Sequence, residues 1–420
     1  MALALSPDRT HLLREGQPFF WLADTAWNGL CRATEADWAV YLAARAAQGF
    51  TVIQFVCTHW RAYAEEPAFT LDGGLRMNEA FFARRDRLVQ MIREHGLVPA
   101  PVLLWACTEH DPGWYLSEAD AVTVARYIKD RWGGEDTVYF LGGDGNYRGE
   151  KAAKWRRIGR AVFADDPGAI VTMHPGGQQW VVEEFRHEPW FGFHGYQSGH
   201  GDSEANLRWL LNGPPGVGTV EPPPYRLLPP VHPVINLEPN YELHPAYQSQ
   251  QLFTDVHVRR AAYWSLLVTP PAGVTYGSNA IWPWATRPEA PLGHEGLGVA
   301  PPWHEGLDTP GVRSMTVLRR LFDSLPWWRL RPAPHLLAEQ PGLDDPARHV
   351  MAAATNDIAL AVIYTPTGAT LRLNLPDARA GEWFNPRTGE SCPTGRGTSP
   401  RPADRLTTPD ESDWVLVLRA

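Results

Sequence analysis

The sequence has few cysteines and few charged residues. Only four of the 420 residues are cysteine, and no two of them have the CxxC spacing of a metal or redox motif. A chain of this length does not need disulfide bonds to fold, so we expect free thiols. Charged residues make up 20% of the chain and give a net charge of −9, with no acidic tail or basic cluster. This balance argues against nucleic acid and anionic membrane surfaces as partners.

Long apolar runs are also absent. No segment approaches the ~20 apolar residues that span a bilayer. The N-terminal stretch has neither the basic region nor the apolar region of a secretion signal. We therefore expect a soluble, cytoplasmic protein. With 44% hydrophobic residues, the chain can form one large domain and one smaller domain, each with its own core.

Tryptophan, in contrast, is abundant. The chain has 19 tryptophans, about three times what ordinary usage predicts. The flat indole ring suits stacking on a sugar as well as filling a core. Only a tryptophan at the end of a strand favours stacking on a sugar over filling a core.

Eight short apolar segments recur between residues 18 and 278, with amphipathic helical patterns between them. The segments are 18–25, 50–57, 96–105, 137–144, 169–175, 190–196, 233–239 and 272–278. Strands this continuously apolar are typical of a parallel sheet covered by helices. Their number predicts a (β/α)8 TIM barrel. A doubly wound open sheet is the alternative, but "LADTAWNG" stands where such a fold has its glycine-rich phosphate loop.

Two of the helical patterns have well-marked ends. One begins after Thr34 and closes at Gly49, and another begins after Asn78 and closes at Gly96. Threonine and asparagine are good N-terminal caps, and glycine commonly ends a helix.

The pattern changes after the segment "PWWRLRP". From about residue 345 it alternates between apolar and polar residues and is interrupted by turn residues, which indicates a small antiparallel β-sandwich. We assign residues 1–335 to the barrel and residues 345–420 to the sandwich. Trp383 and Trp414 are expected in the sandwich core.

Two carboxylates end two of the most apolar strands. Asp144 follows "YFLGG" and Glu238 follows "VINL". The carboxyl ends of barrel strands form the mouth that holds the active site. There, one carboxylate could protonate the leaving oxygen of a glycosidic bond while the other attacks or stabilises the sugar carbon. Asp144 is equally explained as a turn residue, whereas Glu238 has little turn propensity and would be costly to bury without a partner.

Other polar and aromatic residues lie near the predicted strand ends, where they could bind a sugar. Asp24 either caps a helix or accepts a sugar hydroxyl. Asn240, Tyr241, His194 and Tyr196 could donate to Glu238 and keep it ionised. The residues expected to bind the substrate are Asp24, Trp27, His59, Trp60, Trp105, Asn146, His174, His194, Tyr196, Asn240, Tyr241 and Trp282.

Two other functions stay open from the residues alone. The protein could be a non-catalytic carbohydrate-binding barrel. It could also be a metal-dependent hydrolase, because His59, His110, His174 and His194 fall near the predicted mouth. However, no HxH or HExxH pair occurs, so we expect no metal and no cofactor.

Several of these motifs together resemble one family. "PFFWLADTAW", "YFLGGDGNY", "VTMHPGG" and "VINLEPNYE" are similar to motifs of the apiosidase-like glycoside hydrolases. These are barrel enzymes related to glycoside hydrolase family 140, and a small β-domain with a collagen-binding label commonly follows the barrel.

The resemblance implies roles for the two carboxylates. Asp144 would be the general acid/base and Glu238 the nucleophile of a retaining double displacement. The substrates would be oligosaccharides derived from plant or microbial polysaccharides. The wider barrel clan usually has Asn-Glu at the acid/base position, so an aspartate after two glycines departs from the clan while matching the apiosidase-like pattern.

Overall fold

A computed structural model describes residues 2–58, 60, 66–212, 229–394, 400 and 404–420. Eight parallel strands form its central sheet, numbered β1 to β8 in chain order. They are β1 Trp21–Thr25, β2 Val52–Val56, β3 Val98–Trp105, β4 Val138–Gly145, β5 Ile170–Pro175, β6 His194–Gln197, β7 Val234–Glu238 and β8 Gly273–Tyr276. Each lies within or overlaps one of the eight predicted segments.

The strands follow one another around a closed ring. The hydrogen-bonded order runs from β5 through β4, β3, β2 and β1 to β8, β7 and β6. A parallel bridge between Val171 and Phe191 joins the two ends. The prediction of a TIM barrel is therefore confirmed.

Both faces of the barrel strands are buried. In β1, Trp21 and Ala23 pack inside the barrel, whereas Leu22 packs against the surrounding helices. Successive residues of a strand point to opposite faces. Because both faces are covered, the strands need apolar residues at nearly every position, which explains the continuous runs in the sequence.

Helices surround the barrel. The α-helices are Gly29–Arg32, Glu35–Ala47, Glu79–Glu94, Pro112–Tyr115, Glu118–Trp132, Gly149–Val162, Val182–Phe185, Glu204–Asn212, Asp255–Leu267 and Pro310–Asp323. The predicted caps are confirmed: the side chain of Thr34 accepts from the Asp37 amide at 3.1 Å, and that of Asn78 accepts from the Phe81 amide at 3.3 Å. Within the described ranges, no helix has the length and apolar character needed to cross a membrane.

A small antiparallel sheet covers the N-terminal end of the barrel. Its strands are Leu3–Leu5, Leu12–Arg14 and Gln17–Phe19. Leu3, Leu12 and Phe19 join the same apolar cluster as the barrel interior. The core is therefore closed at this end, and open space is left at the carboxyl ends of the strands.

The C-terminal region forms two antiparallel sheets. In spatial order, the larger sheet contains Arg331–Pro332, Met351–Ala354, Leu360–Thr365, Trp414–Arg419, Ala380–Phe384 and Ser391–Pro393, and the smaller contains Thr370–Arg372 and Arg405–Thr407. Leu371 and Leu406 of the smaller sheet pack with Trp383 and Trp414 of the larger in one core. The predicted positions of both tryptophans are confirmed. The first strand of the larger sheet precedes residue 345, because the chain enters this sheet soon after the last barrel helix.

The opposite face of the larger sheet packs against the barrel. Tyr364 stacks on Tyr263 of the helix Asp255–Leu267, with ring centroids 4.5 Å apart. Beside this pair, Nε of Arg259 donates to Oδ2 of Asp413 at 2.8 Å, and both side chains are only 2% exposed. An ion pair and an apolar surface therefore connect the two domains.

Candidate active site

A cavity of about 170 Å³ opens at the carboxyl ends of the barrel strands. This is smaller than the roughly 300–1,000 Å³ of a pocket for a drug-sized ligand, which suits a single sugar residue. Both predicted carboxylates, Asp144 and Glu238, line it. They belong to β4 and β7, three places apart in the ring, so they reach the cavity from different sides.

Glu238 is the last residue of β7 and is only 7% exposed. Its Oε1 lies 3.0 Å from Nε2 of His200, and its Oε2 lies 3.4 Å from Nε2 of His174. Burial alone would raise the pKa of Glu238, but the two histidines outweigh burial and hold that pKa well below its usual range. Glu238 is therefore a carboxylate at neutral pH.

Contacts on both ring nitrogens orient His200. The backbone amide of Tyr241 donates to Nδ1 at 3.4 Å, so Nε2 carries the proton that is donated to Glu238. The ring of His244 stacks on His200, with centroids 4.1 Å apart and an interplanar angle of 28°. Burial and the neighbouring His200 lower the pKa of His244 to about 2, which leaves it neutral. Its Nδ1 donates to the Pro245 carbonyl at 2.7 Å.

Asp144 follows two glycines at the end of β4, and its backbone has φ +48°. The glycines are required by close approach, because a Cβ at Gly143 would lie 2.4 Å from the Trp105 ring and one at Gly142 would lie 2.6 Å from the Tyr147 hydroxyl. The left-handed turn brings the half-buried Asp144 to the cavity wall. Asp144 can therefore form this turn and also take part in chemistry in the cavity.

Aromatic side chains form much of the cavity wall. Trp105 contacts Trp27 and Trp60 edge to face at 5.2 Å, and Trp60 contacts Trp282 at 5.7 Å. All four were predicted, and they form one continuous surface for a sugar ring. Among the described residues, Nε1 of Trp105 is a buried donor with no hydrogen-bond partner.

Tyr241, also predicted, lines the same cavity beside Glu238. Burial and the charge of Glu238 raise the pKa of Tyr241 well above its ordinary value. The phenol therefore stays protonated, and its O–H can donate a hydrogen bond.

Three predicted residues on β5 and β6 do not line the cavity. His174 is fully buried beneath Glu238 and contacts the carboxylate instead of the open space. His194 begins β6 instead of ending it, and it packs against Phe191 and His232. Tyr196 faces the outer layer and contacts Trp180 at 4.5 Å. The predictions that His194 and Tyr196 bind substrate or donate to Glu238 are wrong, because His194 starts the strand instead of ending it and Tyr196 points to the outer face of the barrel.

Asp24 requires a similar correction. It is fully buried and accepts from the Tyr41 hydroxyl at 2.8 Å and from Nε of Arg45 at 2.5 Å. It therefore forms a structural ion pair between the barrel and its helices and neither binds sugar nor caps a helix. Its side chain points outward because Ala23, the residue before it, points into the barrel.

Two further predicted residues, Asn240 and Asn146, also lie outside the cavity. Asn240 donates to the Gly199 carbonyl at 2.9 Å and so holds the loop that carries His200. Asn146 is exposed and borders a separate cavity of about 200 Å³ that contains Trp114. His59 lies outside the described residues.

Several cavity residues were not predicted. They are Gly177, Gln197, Gly199, His200, His244, Tyr247, His294 and Leu297. His200 lies in the loop after β6, so no strand pattern in the sequence predicts that it faces the cavity. A regular spacing after Glu238 could have identified two of them. Tyr241, His244 and Tyr247 recur at intervals of three residues, and all three line the cavity.

Among the described residues, two histidines of the metal alternative, His110 and His194, lie away from the cavity. The side chain of His110 is 80% exposed, and His194 lies at the start of β6. In the part of the chain that the structure describes, no three His, Cys, Asp or Glu side chains are arranged to hold a metal ion.

Comparison with known families gives two matches that together span nearly the whole chain. The model described as "Apiosidase-like, catalytic domain" matches residues 6–329. A second model, described as the collagen-binding domain of a collagenase, matches residues 332–419. No match was found among curated proteins.

Solved structures show the same fold. One described as a glycoside hydrolase is 22% identical, with a TM-score of 0.81 over 100% of this chain and 96% of that chain. A glycoside hydrolase family 5 protein from Bacteroides vulgatus is 21% identical, with a TM-score of 0.82 over 100% and 93%. An exo-beta-1,4-mannosidase from Opitutaceae bacterium strain TAV5 is 13% identical, with a TM-score of 0.51 over 76% and 62%.

Proposed function

The chain belongs to the apiosidase-like family of glycosidases, and we propose that it cleaves its substrate by a retaining mechanism with Glu238 as nucleophile and Asp144 as general acid/base. The observation that carries the proposal is the pair of contacts from His200 and His174 to Glu238, in a cavity that Asp144 also lines.

The proposal assigns different protonation states to the two carboxylates. Glu238 is ionised, because neighbouring histidines lower its pKa despite its burial. An ionised carboxylate is the form that attacks a sugar carbon. Asp144, at the end of β4, would enter the reaction as the protonated acid.

The reaction would proceed in two steps. First, Asp144 donates its proton to the leaving oxygen while Glu238 attacks the anomeric carbon, which breaks the glycosidic bond and forms a glycosyl ester. Then Asp144, now a carboxylate, removes a proton from water, and the resulting oxygen attacks the same carbon and displaces Glu238. The enzyme returns to its starting state, and the product keeps the anomeric configuration of the substrate.

The cavity favours a single sugar residue at the end of an oligosaccharide. Its tryptophans offer apolar faces for the C–H side of a sugar ring, and Trp105 offers an unpartnered N–H for a hydroxyl. We propose that the substrates are oligosaccharides from plant or microbial polysaccharides.

The test is a panel of nitrophenyl glycosides and natural oligosaccharides, with the anomer of the first product identified by NMR. Glu238→Gln and Asp144→Asn should each abolish turnover of the best substrate. Asp308→Asn, at a side chain that is 68% exposed, is the matched control. Near wild-type turnover in both active-site variants would refute the assignment. Binding without turnover in the wild type would favour a carbohydrate-binding barrel, and loss of activity with a chelator would favour a metal-dependent hydrolase.

A further inference from the structure

A second groove, of about 410 Å³, lies beside the candidate active site. One wall is the loop after β7, in which the Leu243 amide donates to the Phe253 carbonyl at 2.9 Å. The other wall is the loop after β8, which is closed on itself by a bridge between Glu289 and Ala300. Leu297 lines both the groove and the cavity that contains Glu238. The groove and the cavity therefore adjoin at Leu297.

The lining of this groove is neutral and aliphatic. Among the described residues that line it, none is charged and none is aromatic. Its rim exposes Leu252 and Val299, whose exposed fractions are 55% and 66%. A neutral lining disfavours uronates and sulfates, and the lack of aromatic rings removes the usual platform for a sugar face. The groove suits a small, neutral group with an aliphatic part.

Asn279 is a polar residue of the groove with a hydrogen-bond donor that is unsatisfied within the described residues. It borders the groove and is only 1% exposed. Its Oδ1 accepts from Nε1 of Trp282 at 2.9 Å, which identifies the other amide atom, Nδ2, as the donor. In the described part of the chain, that Nδ2 has no hydrogen-bond partner. A buried donor without a partner is unfavourable, and a ligand oxygen in the groove would satisfy it.

We propose that this groove binds a short ester group carried by the substrate, either an O-acetyl group or a methyl ester. The carbonyl oxygen would accept from Nδ2 of Asn279, and the methyl group would pack between Leu252 and Val299. Both esters present this combination of one strong acceptor and one small aliphatic group. The proposal rests on the proposed function, because the ester is placed on the sugar next to the one held beside Glu238.

The test uses saturation-transfer NMR on the full-length protein with three probes. These are a mono-O-acetylated methyl glucoside, the methyl ester of methyl glucuronoside, and unesterified methyl glucoside. We expect saturation to reach the ester methyl protons of at least one of the first two probes. The probe whose ester methyl responds shows whether the groove binds an O-acetyl group or a methyl ester. A signal from neither ester methyl would overturn the proposal.

Three variants test whether the saturation transfer arises in the groove. Asn279→Asp keeps an acceptor for Trp282 but removes the donor, and it should reduce the transfer about fivefold, as expected for one lost neutral hydrogen bond. Val299→Asp places a charge on the exposed rim, cannot disturb the core, and should also reduce the transfer. Val40→Asp, at a residue that is 54% exposed on the helix Glu35–Ala47, is the matched control and should leave the transfer unchanged. Equal transfer in all three would overturn the proposal.

This experiment measures binding and does not depend on turnover. Failure of the proposed function would appear as absent hydrolysis in the glycoside panel, whatever the NMR result. Failure of the ester proposal would appear as absent or variant-independent transfer in an enzyme that still hydrolyses its substrate.

Discussion

Nε2 of His200 lies 3.0 Å from Oε1 of Glu238, although Glu238 ends β7 and His200 lies in the segment that follows β6. The backbone also joins these segments, because the Gly199 amide donates to the Glu238 carbonyl at 3.0 Å. The histidine is therefore held against the carboxylate by main-chain bonds as well as by its own ring.

Replacing His200 should impair the nucleophile. In His200→Phe, Glu238 loses a donor to its charged form, worth about 1.5–3 kcal/mol, so kcat/KM should fall roughly 10- to 150-fold. The pKa of Glu238 should rise, and the acidic limb of the pH–activity profile should shift to higher pH. His200→Gln supplies another N–H donor and should restore part of the activity. The exposed His110→Phe is the control, and an unshifted acidic limb in His200→Phe would contradict the prediction.

His244 should act through His200. Its stacked ring limits rotation of the His200 imidazole, and aromatic pairs of this kind contribute about 0.5–1.5 kcal/mol. His244→Ala should therefore lower kcat/KM by roughly 2- to 12-fold. His244→Phe keeps the stacked surface and should retain more activity than His244→Ala. If the two variants were equally impaired, stacking would not be the cause.

Trp105 should contribute a hydrogen bond to the substrate as well as a surface. Trp105→Phe keeps much of the aromatic wall but removes the unpartnered Nε1. The loss of one neutral hydrogen bond of about 1 kcal/mol should reduce kcat/KM about fivefold. Trp383→Phe, in the core of the C-terminal domain, should leave kcat/KM unchanged in protein that remains folded. Steady-state kinetics on the best glycoside would measure both effects.

Acid should destabilise the protein through buried histidines. Burial, the neighbouring His232 and Arg186 hold the pKa of His194 well below its ordinary value, and burial together with His200 lowers that of His244 to about 2. Because the unfolded chain takes up these protons first, stability is complete above about pH 6.5 and falls as the pH drops below it.

At one pH unit below 6.5, each such histidine should reduce the free energy of unfolding by about 1.4 kcal/mol. Urea titrations between pH 7.5 and 5.5 measure the slope. His194→Phe should flatten it, whereas His110→Phe, at an exposed site, should not. Equal slopes in the two variants would disprove the explanation.

The ion pair between the domains should be important for stability. In Asp413→Asn, Arg259 stays buried and keeps its ion pair with Asp255 but loses its hydrogen bonds to the charged Asp413, so the free energy of unfolding should decrease by about 1.5–3 kcal/mol. Asp357→Asn breaks an exposed pair with Arg329 and should cost at most about 1 kcal/mol. Urea denaturation measures both, and similar losses in the two variants would contradict the prediction.

The sequence by itself determined the barrel, the caps of two helices and the two carboxylates. These features are local: a strand buried on both faces is apolar along its whole length, and a capping residue contacts an amide three residues away. Asp144 and Glu238 could be placed at one mouth because parallel strands bring all their carboxyl ends to the same side of a barrel.

Only the tertiary structure decided which side chains share the cavity. Along a strand, side chains alternate between the inside and the outside, so an error of one residue in a boundary moves a side chain to the opposite face. That is why Asp24 and Tyr196 point away from the cavity while Gln197 lines it. The contact between His200 and Glu238 joins residues 38 positions apart. It exists because the loop after β6 lies against the end of β7, a proximity that no local pattern of residues encodes.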